Sequence, residues 1–465
     1  MILILRSRWL VNMAKEKLTA ISPLDGRYAD KTKELSRIFS EYGLIKYRVE
    51  IEIRWLQMLA NNPEIIELDI FDTDTDSQLN QIIDNFDVDD AESVKEIEKI
   101  TNHDVKAVEY FISRQFKGHK NIKDFIHFGC TSEDINNLAY AMMLKEARDS
   151  IIKPLMNSLQ SEIESLASKH QNTPMLSRTH GQTASPTTVG KEFANILSRL
   201  NIINIELNEI NIYGKFNGAV GNFNAHHAAY PDCDWLIISS KFIRSLGLKP
   251  NLLTTQIEPH DWMAKYCHTL IRYNTVLLDM SRDIWGYISL GYFKQRLEKN
   301  EVGSSTMPHK INPIDFENAE GNLGMANSLL SHFAEKLPIS RFQRDLTDST
   351  VQRNLGVAIG YGTIAIKSLL KGINKLEIDE MAIKEDIEHR WEVLGEAIQT
   401  VMRRYGVPEP YEKLKSLTRG NEINKSILSN FIHSLEIPDH AKNELLNLTP
   451  STYIGLASKL STLSK

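Results

Sequence analysis

The chain has 465 residues, of which 42% are hydrophobic and 25% charged, and it carries a net charge of −6. A chain of this length can bury a large core, and it lacks the concentrated block of Lys and Arg that nucleic-acid binding requires. No run of about 18 apolar residues is present, so the sequence predicts no membrane-spanning helix.

Three cysteines lie far apart in the sequence: Cys130, Cys233 and Cys267. An odd, scattered set does not suggest a disulfide framework, so we expect a reducing, cytoplasmic location. The first apolar run is broken by Arg6 and Arg8 and is too short for a signal-peptide core. We interpret residues 1–13 as a disordered extension, with Met13 as an alternative start.

Helical patterns of mixed length predict an N-terminal helical domain over residues 14–123, with SPLDGRY as a turn near its start. The longest helical patterns fall in residues 124–373 and predict a central long-helix domain. From residue 374 the predicted helices shorten and prolines divide them, which indicates a small C-terminal helical domain over 374–465.

Two polar clusters lie at predicted helix edges, TNHDVKAVEYF (101–111) and FIHFGCTSEDINN (125–137). Asp104 and Ser132 are residue types that cap helix N-termini. The clusters also hold more polar groups than capping requires: His103, His127 and Thr131. Capping and ligand binding are therefore both open for these segments.

His180 lies in LSRTHGQT, and we interpret residues 179–188 as a loop before a helix that begins near Pro186. A single histidine is most often structural. A histidine ordinarily titrates near neutral pH, about 6.5, so this residue type can act as an acid or a base, and a loop position leaves it accessible. A structural and a catalytic role are both open on local grounds.

Three long segments carry an apolar 3-4 spacing: 189–210, 270–287 and 323–337. Long helices with narrow apolar seams bury those seams against one another, which predicts a helical bundle. Further apolar residues lie off the seams, such as Ile202, Leu278 and Leu329. They predict a second buried face and hence contacts between subunits.

The stretch GSSTMPHKINP (303–313) ends in an Asn-Pro step that, with the following IDFENAEGNL, predicts a helix start. Lys310 and the backbone of Ser304 and Ser305 then lie just outside a helix N-terminus, where the dipole and free N–H groups favour an anion. This indicates a carboxylate-binding loop, although a Gly-Ser-Ser-Thr run is a flexible linker in most proteins.

SRFQRDLTDSTVQRN (340–354) places arginines beside hydroxyl groups: Arg341, Arg344, Arg353, Thr347, Ser349 and Thr350. Such arginines are either solvated or arranged to bind a phosphate bidentately. No CxxC or HExxH spacing occurs, and the adjacent His226 and His227 do not easily face one ion, so we expect no metal site.

GSSTMPHKINP resembles the signature loop of the fumarase/aspartase superfamily, whose members eliminate fumarate from a succinyl group. Its Met-Pro-His-Lys form resembles the bacterial branch that acts on succinylated purine nucleotides, as do SPLDGRY, TNHDVKAVEYF, HFGCTSEDINN, RTHGQ, TTQIEPHD, RDLTDSTVQRNLG and QTVMRRYG. The resemblance runs from about Leu18 to the C-terminus. One departure follows His-Gly-Gln, where Thr183, Ala184, Ser185 and Pro186 replace Pro-Ala-Thr-Pro and put the stiffness of the loop in doubt.

The resemblance implies a β-elimination in which Ser304 is the general base and His180 the general acid. It implies that Ser305, Lys310 and Asn312 hold the succinyl carboxylates. The nucleotide end, including its phosphate, would be bound by Arg27, Tyr28, Arg344, Ser349 and Arg353. Further substrate contacts would come from Asn102, His103, Asp104, Thr131, Ser132 and Gln256. No cofactor is implied.

The resemblance also implies an all-α fold of three domains, with long central helices that form the core of a homotetramer and active sites shared between subunits. Two purine-pathway substrates are implied: succinyl-AMP, giving AMP, and the succinylcarboxamide ribonucleotide. Sister lyases acting on argininosuccinate or aspartate share the loop but give no reason for Arg27-Tyr28 or the 344–353 cluster. A catalytically silent helical scaffold is the other alternative, against which the intact Ser304, Lys310 and His180 argue.

Overall fold

The structure, a computed structural model, describes residues 17–117, 120–297, 307, 309–418 and 423–463. The described chain is mostly helical, which confirms the predicted all-α class. No helix within it is long and apolar enough to cross a membrane.

The α-helices follow one another in this order: α1 (Ala29–Phe39), α2 (Glu41–Ala60), α3 (Thr73–Asp84), α4 (Val88–Thr101), α5 (Asp104–Gln115), α6 (Lys120–Asp124), α7 (Ser132–Ala147), α8 (Lys153–Lys169), α9 (Val189–Glu209), α10 (Asn224–Ala229), α11 (Trp235–Ser245), α12 (Asp261–Ser289), α13 (Ile314–Lys336), α14 (Thr347–Gln352), α15 (Leu355–Asn374), α16 (Glu380–Glu388), α17 (Gly395–Arg404), α18 (Pro410–Thr418), α19 (Lys425–Ser434), α20 (Asp439–Leu446) and α21 (Ala457–Leu460). A π-helical turn (Arg148–Ile152) joins α7 to α8, and a 3₁₀ turn (Trp391–Leu394) precedes α17.

Six short strands form three two-stranded sheets: β1 (Pro174–Thr179) with β2 (Gln182–Thr188), β3 (Tyr213–Gly214) with β4 (Lys249–Pro250), and β5 (Phe293–Gln295) with β6 (Leu376–Ile378). The first and third pairs are antiparallel and the second is parallel.

The three predicted apolar seams lie along the long helices α9, α12 and α13 and are buried except at Tyr287, which is partly buried. Every residue of the first seam, for example Leu200 at 0% and Ile196 at 7%, is nearly inaccessible to solvent. Off the seams, Ile202 is 55% exposed, and Leu278 and Leu329 are partly buried. The periodicity therefore predicted the buried face correctly, while the second face is at most partly covered in the single chain.

The chain divides into two compact units, each drawn from three stretches. The first comprises Met1–Met156, Ile203–Thr275 and Gly321–Lys367, and the second Asn157–Ile202, Val276–Glu320 and Ser368–Lys465. The boundaries of the three predicted domains stay a prediction.

Aromatic residues form part of the core of the first unit. The ring of Trp55 lies 4.4 Å from that of Phe216 and 5.1 Å from that of Phe242, measured between centroids. The second unit has an apolar cluster that joins Leu176 of β1 to the short C-terminal helices, including Met402 and Ile432. Those helices, α16 to α21, have four to ten residues, as predicted for this part of the chain.

The prediction of a loop over residues 179–188 is wrong. Strands β1 and β2 pair as a hairpin in which Thr179 faces Gln182, so His180 and Gly181 form a two-residue turn. Their φ angles of 52° and 73° are both positive, as a type I′ turn requires. The usual Asn-Gly signal is replaced by His-Gly, which is why the pattern did not predict a hairpin. The following helix begins at Val189 and not near Pro186.

The predicted helix start near residue 313 is correct to within one residue. Helix α13 begins at Ile314, and the carbonyl of Pro313 accepts hydrogen bonds from the N–H groups of Phe316 and Glu317 at 3.0 and 3.2 Å. The residue that flanks the helix is therefore Pro313, one position after the expected N-cap.

Candidate active site

The first unit contains most of the predicted site residues: Arg27, Tyr28, Asn102, His103, Asp104, Thr131, Ser132, Gln256, Arg344, Ser349 and Arg353. The second unit contains His180, Lys310 and Asn312. Ser304 and Ser305 lie outside the described residues.

Arg353 is held by two carboxylates of the first unit. Its guanidinium pairs with Glu41 at 2.7 Å and with Asp104 at 3.3 Å. The same Asp104 oxygen pairs with Arg48 at 2.7 Å, and Arg48, only 2% exposed, also donates to Asn136 at 2.9 Å. Burial opposes ionisation of Asp104. The charge of Arg48 and the hydrogen bonds that the Asp104 carboxylate accepts nevertheless lower the pKa of Asp104 below its ordinary value. Asp104 is thus an ionised residue that fixes Arg353.

His103, not Asp104, caps helix α5. Its Nδ1 accepts a hydrogen bond from the N–H of Lys106 at 3.1 Å, and Asn102 before it adopts a left-handed conformation with φ 52° at the end of α4. Because Nδ1 is an acceptor, the neutral ring carries its proton on Nε2. The His103 side chain is 52% exposed, so this Nε2–H remains available to a ligand.

Thr131, not Ser132, is the N-cap of helix α7. Its N–H donates to Asp134 Oδ2 at 2.8 Å, which fixes the first turn of the helix. Ser132 is the first helical residue and is partly buried. Capping therefore explains one residue of this cluster and leaves the hydroxyl of Ser132 for other contacts.

Arg344 lies between two buried carboxylates. It pairs with Glu133 at 2.6 Å and with Asp348 at 3.4 Å, and Asp348 also accepts from the N–H of Ser349 at 2.7 Å. Burial raises the pKa of Glu133, although the guanidinium of Arg344 opposes the shift. Asp348 thereby brings Arg344 and Ser349, two predicted phosphate ligands, next to each other.

Glu133, His260 and Asp348 place three potential metal-ligand atoms within 4.8 Å of one another, and all three are buried. His260 Nε2 lies 3.9 Å from Asp348 and 3.3 Å from the amide nitrogen of Gln352. Both carboxylates already pair with Arg344, whose charge would repel a cation. We therefore infer that this cluster holds the guanidinium of Arg344 and not a metal ion.

Arg27 and Tyr28 lie in the predicted turn, in which the N–H of Tyr28 donates to the Pro23 carbonyl at 2.8 Å. Leu24 of the same turn and Arg353 line one cavity of about 270 Å³. The turn thus reaches the cavity of Arg353 through Leu24 and Asp25, while the predicted nucleotide ligands Arg27 and Tyr28 are not among its lining residues.

His127 lies between two carboxylates, an arrangement that the sequence did not predict. Its Nδ1 lies 2.6 Å from Glu52, which is fully buried, and its Nε2 lies 3.9 Å from Glu109. Burial opposes the charged ring, but the two carboxylates outweigh it and raise the pKa of His127. The signal that could have indicated this helix face is the spacing of Arg48 and Glu52, which stand one turn apart in α2.

In the second unit, His180 is exposed at the tip of the β1–β2 hairpin, and it has no side-chain hydrogen bond or ion pair within the described residues. The arms below it are fixed. Arg178 of β1 donates to Thr183 of β2 at 2.7 Å and to the Tyr292 hydroxyl at 3.0 Å, and it pairs with Asp386. Thr183, the first residue of the departure from the superfamily pattern, thus stiffens the hairpin.

Lys310 is also exposed, and its N–H donates to the carbonyl of Met307 at 3.0 Å. It lies four residues before the first residue of α13, and Asn312 lies between them, partly buried. Lys310 and Asn312 therefore flank a helix N-terminus, as the sequence predicted.

Residues 26–327 match a family model described as a lyase, and residues 340–454 match the model of the adenylosuccinate lyase C-terminal region. The adenylosuccinate lyase of Haemophilus influenzae is 54% identical over 451 residues, covering 96% of this chain and 99% of that protein. The adenylosuccinate lyase of Escherichia coli K12 is 53% identical over 448 residues, covering 96% and 98%.

Two solved structures share the fold at lower identity. One is the 3-carboxy-cis,cis-muconate lactonizing enzyme from Pseudomonas putida, with a TM-score of 0.72, 19% identity and coverage of 93% of this chain and 96% of that one. The other is a fumarate lyase from Mesorhizobium sp. BNC1, with a TM-score of 0.73, 18% identity and coverage of 94% and 97%.

Proposed function

The chain belongs to the adenylosuccinate lyase family of the fumarase/aspartase superfamily, and we propose that it eliminates fumarate from adenylosuccinate to give AMP in purine biosynthesis. One observation carries the proposal: 54% identity to a curated adenylosuccinate lyase over 96% of this chain. We extend it to succinylaminoimidazolecarboxamide ribonucleotide (giving AICAR), because both substrates carry the same succinylamino group and a ribose phosphate.

Arg344 and Arg353 bind the phosphate end in this proposal. Each guanidinium is already aligned by two carboxylates, Glu133 and Asp348 for Arg344, Glu41 and Asp104 for Arg353. Because an arginine has five N–H donors, it can keep these pairs and still donate to a phosphate. Alignment before binding reduces the entropy that is lost when the ligand is fixed.

Ser304 removes the proton next to a succinyl carboxylate in this proposal. That proton is weakly acidic, and a neutral serine is a poor base, so Ser304 must lose its own proton in an electropositive setting. The ammonium of Lys310 and the N-terminus of α13 supply that setting, and they also stabilise the negative charge that develops on the carboxylate. Ser305, Lys310 and Asn312 hold the two carboxylates.

His180 donates the proton that the departing nitrogen requires. General acid catalysis of this kind contributes about 100- to 10,000-fold in rate. The positive φ angles of the His180-Gly181 turn keep the imidazole at the hairpin tip, and the bond between Arg178 and Thr183 fixes the arms. The hairpin therefore presents the acid on a stiff support.

A homotetramer with shared active sites is part of the proposal. It is supported by large apolar residues that are 50% to 58% exposed on the long helices: Ile202, Ile205, Trp285 and Met325. Exposed apolar residues of this size, if they form a contiguous patch, mark protein interfaces. We also propose a cytoplasmic location, which suits the three free cysteines.

The test is to supply the purified protein with adenylosuccinate and argininosuccinate in separate reactions and to measure fumarate. We expect fumarate and AMP from adenylosuccinate alone. Fumarate from argininosuccinate alone would assign the chain to a sister lyase, and turnover of neither substrate would favour a catalytically silent scaffold.

A further inference from the structure

Lys375 and Asp315 form a largely buried ion pair in the second unit. Their side chains are 6% and 12% exposed, and Lys375 Nζ lies 2.5 Å from Asp315 Oδ2. Neither residue belongs to the sites proposed above, and a buried ion pair is weak evidence for a role in stability. Asp315 lies in the first turn of α13, the helix that Lys310 and Asn312 precede. The pair is therefore next to the residues proposed to hold the succinyl carboxylates.

Main-chain contacts fix Lys375 beside the start of α13. The carbonyl of Lys375 accepts the N–H of Arg296 at 2.8 Å, and the strand that follows, β6, pairs with β5. A Cβ on Gly372 would lie only 3.0 Å from the ring of Phe316 and 3.2 Å from Asp315 Cβ, so the missing side chain of Gly372 permits this close approach. Because these contacts do not use the Lys375 side chain, replacing that side chain leaves them in place.

The charge of Asp315 opposes anion binding at this end of α13. An acid in the first turn interacts favourably with the positive end of the helix dipole, and it thereby cancels part of the charge that attracts an anion. Asn312 lies three residues before Asp315, so their Cα atoms are at most about 11 Å apart. Charges at this distance still interact in about 0.1 M salt, and partly buried charges are screened less. An uncompensated Asp315 would therefore repel a substrate carboxylate held by Asn312.

Lys375 supplies the charge that compensates Asp315. The ammonium of Lys371 also faces this carboxylate, but it lies 4.0 Å from Oδ1 and its side chain is 50% exposed, so water and salt screen it. The other acid of the first turn, Glu317, is exposed and is screened in the same way. With Asp315 neutralised by Lys375, the charge of Lys310 and the N–H groups at the start of α13 remain to attract an anion.

We infer that Lys375 is a positioning residue for the carboxylate-binding end of the proposed active site. Its ammonium holds and neutralises Asp315, so that Lys310, Asn312 and the N-terminus of α13 act on the succinyl carboxylates without a competing negative charge. Lys375 acts through Asp315 and does not itself touch substrate. The inference rests on the proposed function, because that function places the succinyl group at this end of α13.

The test compares three variants with the wild type in the full-length protein: Lys375→Met, Asp315→Asn, and the double variant that carries both changes. For each, we measure the melting temperature and the inhibition constants of the two reaction products against adenylosuccinate. Fumarate carries the two carboxylates, and AMP lacks them. The assays are run at about pH 8, where a carboxylate that has lost its partner stays ionised.

Lys375→Met should raise the inhibition constant of fumarate about ten-fold, because it leaves the charge of Asp315 uncompensated beside a dianion. The inhibition constant of AMP should change less than about three-fold, since AMP makes no contact with this end of α13 in the proposed site. The double variant should bind fumarate within about three-fold of the wild type, because it removes the repelling charge together with the compensating one.

Asp315→Asn separates charge from stability. It should lower the melting temperature, because a buried ammonium loses its carboxylate, yet fumarate should inhibit it as strongly as it inhibits the wild type. Fumarate inhibition that weakens in step with the melting temperature across the three variants would reduce the pair to a structural role and overturn the inference. If Lys375→Met does not fold, the other two variants decide, because clearly weaker inhibition by fumarate in either of them contradicts the inference.

The matched control is Lys384→Met, which removes an ammonium from an exposed ion pair with Glu388 on α16 and should change neither inhibition constant. Equal weakening of fumarate and AMP in Lys375→Met would contradict the inference, as would an unchanged fumarate constant. Failure of the wild type to turn over adenylosuccinate would refute the proposed function instead.

Discussion

The arginine sites of the first unit and the His180 hairpin of the second differ in how much of their surroundings the single chain provides. Arg344 is 15% exposed in its side chain and is paired with two carboxylates that are almost fully buried. His180 is exposed at the tip of its hairpin and has no side-chain partner within the described residues. The surroundings of the proposed phosphate-binding arginines are therefore completed within their unit, whereas those of the proposed acid are not.

This difference follows from what each group has to do. A phosphate-binding arginine gains by being aligned before the ligand arrives, and buried carboxylates provide that alignment. A general acid must reach the substrate, so it has to lie at an accessible position before the substrate binds. We expect the surroundings of His180 to be completed by substrate and by another subunit.

The largest expected effect is on kcat and comes from replacing the proposed base, Ser304. Ser304→Ala should lower kcat by about 100- to 10,000-fold because it removes the base, while substrate still binds through the arginines. Single-turnover rates and binding of adenylosuccinate measure the two quantities separately. Ser93→Ala, which replaces an exposed helical serine of α4, serves as the control. Retention of most activity in Ser304→Ala would move the base to another residue.

A smaller effect is expected on KM when Arg353, a proposed phosphate ligand, is replaced. Arg353→Met should raise KM for adenylosuccinate by about 10- to 150-fold with little change in kcat, which corresponds to the loss of charged hydrogen bonds worth about 1.5–3 kcal/mol. Steady-state kinetics with both substrates measure this. Arg114→Met, at an exposed position on α5, should leave KM unchanged. A fall in kcat at constant KM would show that Arg353 acts in the chemical step.

The smallest expected effect is on the pH dependence of stability and concerns His226. This residue is 0% exposed and packs against Gly129, in the segment before α7. A Cβ on Gly129, whose φ is 71°, would lie only 2.6 Å from the His226 ring. Burial lowers the pKa of His226 to about 4, Asp134 opposes the shift, and Lys215 adds to it. The folded state therefore prefers the neutral ring, and the stability this provides is complete above pH 6.5 and is lost as the pH falls toward 4.

Between pH 7 and pH 5 this group should cost the folded protein about 2 kcal/mol, which follows from the difference between the folded and unfolded pKa values. His226→Leu removes the titrating group, so its stability should fall less over that interval than that of the wild type. Denaturant unfolding at several pH values measures the difference. Parallel pH profiles for the two proteins would show that His226 does not prefer the neutral form.

Much of the helical fold was predictable because the residues that determine each helix are close together in the sequence. The seam through Leu200 and Leu207 repeats with the helical period, and the turn at SPLDGRY and the start of α13 carry ordinary turn and capping residues. The β1–β2 hairpin was missed because His-Gly is an unusual pair for its turn and the strands show little alternation. The caps His103 and Thr131 were each assigned one residue too late, since several neighbouring residues can cap a helix.

The residues that hold the site together were not predictable from one sequence. Lys375 and Asp315 are 60 positions apart, and Arg353 and Glu41 are separated by more than 300, so no local spacing indicates that they pair. Arg48 and Glu52 are two of several charged residues in α2. Their roles depend on contacts that form only when distant segments pack, whereas the motifs proposed to bind substrate could be recognised by their resemblance to a family.

The central claim is that the proposed base and acid of one active site come from different chains, and mixed tetramers test it most directly. Ser304→Ala and His180→Ala subunits are each expected to be nearly inactive, and they are unfolded together, mixed in equal amounts and refolded. If each site takes these two residues from different subunits, random mixing should restore about a quarter of the wild-type activity. Mixed tetramers that are verified by mass and remain as inactive as either parent would contradict the claim.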